Sequence, residues 1–375
     1  MSELYDETRR LAAAELRPIA DQGRPCRVNR PLVRALAEHG LLGRLFPDVS
    51  ATDLCVIREA LATACTEAET AFALQGLGAY PIHQAGSPEV KARWIPRVAD
   101  GTVVPAFALT EPEAGSDVSA MSLRASRDGR DGYRLNGEKL WISNAPEADI
   151  YAVFARTSEG SRGLTAFAVP GDSDGLTGEH KQLLAPHAIG SLRFDDVFVP
   201  ADHVLGEPGG GFRVAMRTLD LFRPSVGAFA IGMATQALEL AADWALERHT
   251  FSKPLAQHQA VAHRLAELTA RVEAARLLVR RAAEAFDGGA PDPALAAMAK
   301  LLATETAQEA VDAAIQFHGA RALEHGHPLE HLYREVRAPR IYEGASEIQR
   351  EIIARAIFRR AEERRDGGAS GRSTH

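Results

Sequence analysis

The length, composition and charge of the chain exclude several classes of protein. Its 375 residues exceed the usual size of one hydrophobic core, and 46% hydrophobic with 25% charged residues predicts two or three packed globular units. A net charge of −7 argues against a nucleic-acid partner, and we identify no uncharged apolar run that suggests a membrane span.

The first part of the chain, residues 1–102, is predicted to form a helical domain. Apolar residues recur there at spacings of three and four, as at Leu32, Val33, Leu36, Ala37 and Leu41. The acidic first seven residues lack the basic and apolar blocks of a secretion signal. We therefore expect a cytoplasmic protein that begins with helices.

The middle third, residues 103–205, is predicted to be a small β domain. Short alternating runs separated by Gly, Asp, Asn and Pro are typical of strands. Such runs occupy residues 103–109, 133–142, 150–155, 164–169 and 192–199. This part of the chain therefore differs in kind from the helical segments on either side.

A second helical region, residues 206–364, follows a glycine cluster. Apolar residues between 261 and 279 repeat at the spacing of one helix face, and such a face needs partner helices. Further helices are expected at about 292–317 and 345–362, which together predict a bundle of four or five helices. The last residues, 365–375, are small and polar and bury too little apolar area to offset their ordering entropy, so a disordered tail is expected.

Four sequence blocks resemble those of one enzyme family, the acyl-CoA dehydrogenases. The first is residues 106–117 (AFALTEPEAGSD), and the second is residues 136–144 (NGEKLWISN). The third and fourth are residues 248–254 (RHTFSKP) and 341–350 (IYEGASEIQR). The blocks occur in the family's order and span nearly the whole chain, so a chance match is improbable.

The resemblance implies a fold, a cofactor and a reaction. The fold is acyl-CoA dehydrogenase-like: mainly α, with a central small β domain and a C-terminal four-helix bundle, which agrees with the plan read from periodicity. The cofactor is FAD, and the reaction removes two hydrogens from an acyl thioester to give a trans-2-enoyl thioester. Because no side chain can accept the electrons, this chemistry needs a base, an electron sink and stabilisation of the enolate oxygen at one point.

The resemblance identifies Glu343 as the catalytic base. Taken alone, a Glu at this position would be interpreted as a solvated carboxylate at a helix start, where acids are favoured; the four blocks together favour the base. Some relatives carry the base before the Arg of a bundle-helix motif, here residues 220–224. This chain has Phe222 there, and phenylalanine cannot remove a proton.

The resemblance also implies which residues bind FAD. Strand and loop residues of the β domain would line the isoalloxazine ring and the ribityl-phosphate arm, and a second set would reach the pyrophosphate and adenosine of an adjacent subunit. The first set is Phe107, Leu109, Thr110, Ser116, Trp141 and Ser143; the second is Arg248, Phe251, Gln259, Gln316 and Gly319. Each residue alone is more often plain packing or turn chemistry.

The substrate and partners follow from the same resemblance. Ser116, Asp220, Arg223, Tyr342 and Gly344 are expected to contact the acyl thioester; Arg223 could instead form a surface salt bridge. A homo-oligomer, dimer or tetramer, is expected, with electron-transfer flavoprotein as electron acceptor. The substrate-loop motif of relatives is replaced here by residues 183–188, so the acyl carrier could be a carrier protein rather than free coenzyme A.

Other functions are less well supported by the sequence. The histidines between 318 and 331 are crowded, but Gly and Pro residues lie between them, so no metal site is expected. The three cysteines show no metal-type or disulfide pattern. Two rivals stay open: an oxygen-using enzyme of the same fold, which would release hydrogen peroxide, and a helical scaffold that binds no FAD.

Overall fold

A computed structural model describes residues 2–129, 131–160 and 163–370, without the side chains of residues 366–370. The chain divides into two compact units between Phe222 and Arg223. The division falls inside one long helix, so the main chain is continuous across it. Each unit is described by itself below.

The first unit begins with short helices whose starts are fixed by polar caps. Ser2, Asn29, Ser50 and Ser87 each accept a hydrogen bond from a main-chain N–H three residues on, which satisfies a donor that the helix start would otherwise leave unpaired. A π-turn at Ala12–Leu16 joins the first two helices. The helices are α1 Glu3–Leu11, α2 Arg17–Ala20, α3 Arg30–Glu38, α4 Ala51–Ala64, α5 Thr66–Ala85 and α6 Pro88–Ala99.

The predicted β domain is present as one sheet in the order β6-β7-β3-β2-β4-β5-β8, with β1 parallel to β4. Its strands are β1 Pro105–Ala108, β2 Arg124–Asp128, β3 Gly132–Ser143, β4 Ile150–Arg156, β5 Leu164–Pro170, β6 Leu176–His180, β7 Ile189–Pro200 and β8 Val204–Leu205. Sequence reasoning missed β2, β6 and β8. β2 and β6 are largely polar and exposed, and β8 has two residues, so none of them carries the apolar alternation that identifies a strand.

Helix α7, Gly211–Glu247, corrects the expectation that no segment could span a bilayer. Within the described residues, its length and composition would allow it to cross a membrane. However, 67% of its apolar stretch is buried inside the protein. A helix that is apolar on all faces is also what a protein core requires. At its first residue, a Cβ on Gly211 would lie 2.7 Å from the carbonyl carbon of Thr165, so only glycine allows the helix to begin this close to β5.

The second unit is helical, as expected. The C-terminal part of α7 is followed by a short hairpin, β9 His249–Thr250 and β10 Lys253–Pro254, and then by α8 Gln259–Asp287, α9 Pro293–His318, α10 Pro328–Val336 and α11 Ser346–Ser370. Helix α9 packs against α8, α10 and α11 and is nearly buried along its length, so it is the centre of this unit. The predicted order of helices, strands and helices is confirmed.

The disordered tail expected from residue 365 is wrong for its first residues. Helix α11 continues to Ser370, because the charged run before residue 366 consists of Glu and Arg, which are strong helix formers and propagate the helix. Residues 371–375, the rest of the expected tail, lie outside the described residues.

Candidate active site

A buried ion pair holds the loop after β1 against β3. The Lys139 ammonium donates to Glu111 Oε1 at 2.9 Å and to the Leu109 carbonyl at 2.8 Å, with both charged side chains 2% exposed or less. Glu111 also accepts hydrogen bonds from the N–H and hydroxyl of Ser122 and from the N–H of Leu123. The pair therefore fixes loop residues 109 and 110, which the family resemblance implies as flavin contacts.

Both members of this pair are charged at neutral pH. Burial raises the pKa of Glu111, but the Lys139 charge and the donated hydrogen bonds outweigh it and hold that pKa below its ordinary value. Burial lowers the pKa of Lys139 to about 8, opposed by the Glu111 carboxylate. Burying an ion pair costs desolvation free energy, so such a pair is unusual in a β sheet unless it is needed to hold the loop in one position.

Trp141 lies at an irregularity of β3. The register with β7 shifts between Lys139 and Ile142, and Trp141 has a φ of +58°, which is rare for an aromatic residue. Its side chain is 49% exposed, although its neighbour Ile142 is buried. The bulge therefore turns a large aromatic ring outward, where a flat ligand could pack against it.

Among the remaining β-domain candidates, Leu109 and Thr110 bond β3 and Ser143 is the last residue of that strand. The N–H of Leu140 donates to the Thr110 carbonyl at 3.0 Å, so the loop runs beside the residue preceding Trp141. Phe107 is half-buried and packs on Phe154 with ring centroids 5.0 Å apart, and Ser143 is half-buried at the end of β3. Ser116 is exposed in the following turn. The loop and the strand end thus place hydroxyl groups and aromatic rings in one part of the sheet.

In the second unit, Glu343 lies in the loop between Arg340 and the start of α11. Glu343 has a φ of +51° and Gly344 a φ of +94°, two successive residues in the left-handed region. Such a conformation costs a non-glycine residue about 1–2 kcal/mol and persists only where the surroundings impose it. The side chain of residue 343 is therefore aimed by the backbone around it.

Three buried side chains impose this conformation. Lys300 of α9 donates to the Gly344 carbonyl at 2.8 Å, and Gln349 of α11 donates to the same carbonyl at 2.7 Å and to that of Glu343 at 3.3 Å. Arg223 of α7 makes a longer hydrogen bond, 3.5 Å, to the Glu343 carbonyl. We call Lys300, Gln349 and Arg223 the carbonyl clamp.

The same loop is tied to α9 at both ends through Glu305. Its carboxylate accepts a hydrogen bond from the Ser346 hydroxyl at 2.6 Å and pairs with Arg340 at 2.8 Å. Burial raises the pKa of Glu305, but its hydrogen bonds from Ser346 and Arg340 hold that pKa below its ordinary value. The loop that carries Glu343 is therefore anchored before, within and after the residue.

The substrate candidates occupy different places. Arg223 is only 6% exposed and bonds the Glu343 main chain, so the alternative of a surface salt bridge is wrong. Tyr342 is 37% exposed and lies next to Glu343, and Gly344 follows it. Asp220 is half-buried on α7, in the first unit, whereas Arg223 is in the second.

The candidates for the distant end of the flavin lie after the end of α7, in the β9–β10 hairpin, at the start of α8 and at the end of α9. The Trp244 indole of α7 donates to the Phe317 carbonyl at 3.0 Å and stacks on His318 with ring centroids 5.2 Å apart, which brings the two helix ends together. Each candidate is exposed, and Phe251 is 90% exposed. The residues concerned are Arg248, Phe251, Gln259, Gln316 and Gly319.

The nearby histidines take part in packing. His318 lies between Trp244 and His327, with ring centroids 5.2 Å and 5.4 Å away. His327 caps α10 through its Nδ1 atom, which accepts from the Leu329 N–H. Among the residues that the structure describes, no group of three or more His, Cys, Asp or Glu is arranged to hold a metal ion.

These residues fit a flavin. The outward Trp141 ring offers a packing surface, and the Thr110 and Ser143 hydroxyls offer hydrogen bonds to a polar heterocycle. The loop that carries Thr110 is held to β3 by the Lys139–Glu111 pair and by the hydrogen bond from the Leu140 N–H to the Thr110 carbonyl. A preformed and partly exposed surface of this kind is typical of a cofactor site.

Comparison with known proteins identifies the family. The chain matches the family descriptions "Acyl-CoA dehydrogenase, N-terminal domain" over residues 2–102, "middle domain" over 106–197 and "C-terminal domain" over 209–358. The chain belongs to the acyl-CoA dehydrogenase family. The family resemblance and the fold class inferred from the four sequence blocks are thus confirmed.

Individual relatives and solved structures agree with this family assignment. Cyclohexane-1-carbonyl-CoA dehydrogenase of Geobacter metallireducens is 36% identical, covering 86% of this chain and 87% of that protein. A structure of butyryl-CoA dehydrogenase from Megasphaera elsdenii superposes with a TM-score of 0.89 at 31% identity, covering 96% of this chain and 99% of that one. A structure described as the FAD complex of PigA has a TM-score of 0.88 at 27% identity, covering 96% and 99%.

The comparisons establish the general activity and the cofactor. The protein is an enzyme, an acyl-CoA dehydrogenase, and its cofactor is FAD. The scaffold without catalysis is therefore not supported.

Sequence reasoning missed several residues that shape the site. Lys139 and Glu111 stand inside the recognised blocks, yet their pairing could not be seen because they are 28 residues apart in sequence. Lys300 stands alone in the apolar stretch around it, where 0% exposure shows that its charge is buried. A single charged residue in an otherwise apolar helical stretch was the sequence feature that could have singled out Lys300.

Proposed function

We propose that Glu343 is the base that removes the α-proton of an acyl-CoA, and that the products are the trans-2-enoyl-CoA and reduced FAD. The observation that carries the proposal is the loop of residues 341–345, in which Glu343 and Gly344 are held at positive φ by the buried carbonyl clamp. A base contributes to catalysis only if its carboxylate is kept within reach of one proton. The clamp supports this role because it fixes the main chain that carries the Glu343 side chain.

The reaction breaks two C–H bonds and forms one double bond. The Cα–H bond breaks with its proton passing to the Glu343 carboxylate, and the electron pair left on Cα forms the Cα=Cβ bond. When bound, FAD supplies the acceptor for the hydride that leaves Cβ. The Glu343 main-chain N–H is our candidate donor to the thioester oxygen, where negative charge develops as the proton leaves.

We propose that the β-domain set holds the reactive end of FAD. Trp141 would pack on the ring system, and Thr110 and Ser143 would donate to its polar edge. Lys139 and Glu111 would keep the Thr110 loop from moving away. Support comes from the outward Trp141 ring and from the buried ion pair beneath the loop.

We propose a short or cyclic acyl group on coenzyme A as substrate. The support is the naming of relatives for cyclohexane-1-carbonyl-CoA and butyryl-CoA. A carrier-protein thioester is the alternative, motivated by the altered loop at residues 183–188, in which Leu183 and Leu184 are 44% and 56% exposed. Comparing the same acyl group on both carriers distinguishes them.

We propose electron-transfer flavoprotein as the acceptor of the electrons. An oxidase would instead reduce dioxygen, so hydrogen peroxide formation in air distinguishes the two. We further propose a homo-oligomer, because the exposed candidates around Phe251 would cover the distant end of FAD if a second copy brought it there. A ring 90% exposed to solvent is also costly for an isolated chain.

The test of the base is Glu343→Gln, with Glu347→Gln as matched control. Glu347 is an exposed carboxylate in the first turn of α11 that pairs with Arg350 at 3.3 Å. Reduction of a dye by butyryl-CoA and by cyclohexane-1-carbonyl-CoA should fall at least about 100-fold in Glu343→Gln, because a general base contributes about 10²–10⁴-fold. Bound FAD, measured by absorbance, and activity of Glu347→Gln should stay at the wild-type level.

Two results would overturn the proposal. Retention of more than a tenth of the activity in Glu343→Gln would mean that another group removes the proton. Equal loss in both variants would mean that the negative charge of the loop, and not the individual base, is what matters.

A further inference from the structure

The carbonyl clamp contains a buried cation whose charge the proposed chemistry does not use. Lys300 is 0% exposed, and its ammonium donates to the Gly344 carbonyl rather than to a carboxylate. Burying a cation is costly, and a neutral donor such as Gln349 already bonds the same carbonyl at 2.7 Å. A hydrogen bond to this carbonyl therefore does not by itself require a lysine.

The charge of Lys300 interacts with four ionisable groups, which lie in the loop and on α7, α9 and α11. Glu343 in the loop, Glu305 on its own helix and Glu347 on α11 attract it, and Arg223 of α7 repels it. Among these interactions that with Glu343 is the strongest, so the base and Lys300 are electrostatic neighbours. Removing the charge of one therefore alters the free energy of ionising the other.

We propose that Lys300 is a positioning residue for the base at residue 343, which holds the Gly344 carbonyl and supplies a positive charge that keeps the base ionised. The inference rests on the proposed role of Glu343. It assigns to Lys300 two separable effects, one on the geometry of the loop and one on the charge of the base.

The effect of the Lys300 charge on the pH dependence of activity has a direction that can be measured. An ammonium near a carboxylate favours the ionised form, so loss of the ammonium raises the pH at which the base becomes protonated. The acid limb of the pH profile of kcat/KM should then move upward by about one pH unit, the lower end of the range for a nearby charge. Burial lowers the pKa of Lys300 to about 8, so the charge is present at neutral pH in the wild type.

The geometric effect predicts a different signature. Without the clamp, residues 341–346 should open more often, and their amides should exchange with solvent deuterium faster. Because Lys300 bonds main chain and not substrate, kcat should fall at least about 10-fold with KM changed less than about 3-fold.

Four variants of the FAD-loaded enzyme separate these effects. Lys300→Met removes both donor and charge, Lys300→Gln keeps a donor without the charge, and Gln349→Leu removes a donor without altering charge. Thr304→Val is the matched control: Thr304 is buried one turn along α9, and its hydroxyl bonds the Lys300 carbonyl, not the loop.

We expect the acid limb of the kcat/KM profile to shift in both Lys300 variants. The amides of residues 341–346 should exchange faster in Lys300→Met and Gln349→Leu. Thr304→Val should show neither change. If Lys300→Met does not fold, Lys300→Gln carries the charge test and Gln349→Leu the geometric one. An unshifted acid limb in Lys300→Gln, or exchange in Gln349→Leu equal to that of Thr304→Val, overturns the proposal. Activity remaining in Glu343→Gln would instead refute the proposed base, whatever the Lys300 variants show.

Discussion

Replacement of Lys139 by methionine tests whether the buried ion pair supports the flavin loop. The substitution keeps the length and apolar part of the side chain and removes the ammonium. Its hydrogen bonds to Glu111, 2.9 Å, and to the Leu109 carbonyl, 2.8 Å, are both lost. The Glu111 carboxylate, 3% exposed as a residue, is then a buried anion without a counter-charge.

The expected destabilisation can be bounded from these contacts. Breaking a buried ion pair by removing one partner costs about 3–5 kcal/mol. The Ser122 and Leu123 donors remain on Glu111 and moderate the loss, which places the expectation near the lower end, about 3 kcal/mol. The melting temperature should fall by roughly 6–12 °C for a unit of this size.

The measurement is urea unfolding together with the FAD content of the purified protein. Lys181→Met is the matched control, since Lys181 pairs with Glu179 at the surface, where an ion pair contributes about 1 kcal/mol or less. Lys139→Met should lose FAD during purification, because the loop carrying Thr110 is released. Lys181→Met should retain both stability and FAD.

The stability difference between wild type and Lys139→Met should depend on pH in a definite direction. The pKa of Glu111 lies below its ordinary value of 4.5, so its contribution to wild-type stability is complete above about 4.5 and is lost as the pH falls through the folded-state pKa. In Lys139→Met, protonation of Glu111 relieves the unpaired charge. The difference between wild type and variant should therefore shrink toward acid pH, and Lys139→Met with Glu111→Gln should be more stable than Lys139→Met alone. A difference below about 1 kcal/mol at pH 7, or one that grows in acid, would refute the reasoning.

Two further predictions concern the second unit. Gly344→Ala should destabilise the protein by about 1–3 kcal/mol and lower kcat, since the φ of Gly344 is +94° and a Cβ would lie 2.5 Å from the Gln349 amide nitrogen. Gly326→Ala controls for backbone strain alone, because Gly326 has a φ of +87° and a Cβ there would meet nothing within 4 Å. Equal effects of the two substitutions on kcat would contradict a role for the clamp. Light scattering of the FAD-loaded enzyme should give a multiple of the mass of one chain, and Phe251→Asp should lower both this mass and the FAD content; a single-chain mass with FAD bound would contradict the proposed homo-oligomer.

The family, the cofactor and the order of the structural elements could be predicted from sequence patterns alone. The recognised blocks are local, so residues such as Trp141 and Glu343 can be singled out from their neighbours in the chain. Helix periodicity is local as well, and it placed α8 and α9 to within a few residues of where they are. Strands such as β2 and β6 escaped because polar, exposed strands carry no pattern of their own.

The way in which the candidate residues are held depends on packing between distant elements and could not be predicted from the sequence. Lys300, Gln349 and Arg223 come from three helices, and nothing in their spacing indicates that they converge on the carbonyls of residues 343 and 344. The outward turn of Trp141 likewise depends on a register shift against β7. Sequence patterns record which side of an element is buried, whereas the partner of a buried charge is set by packing between elements distant in the chain.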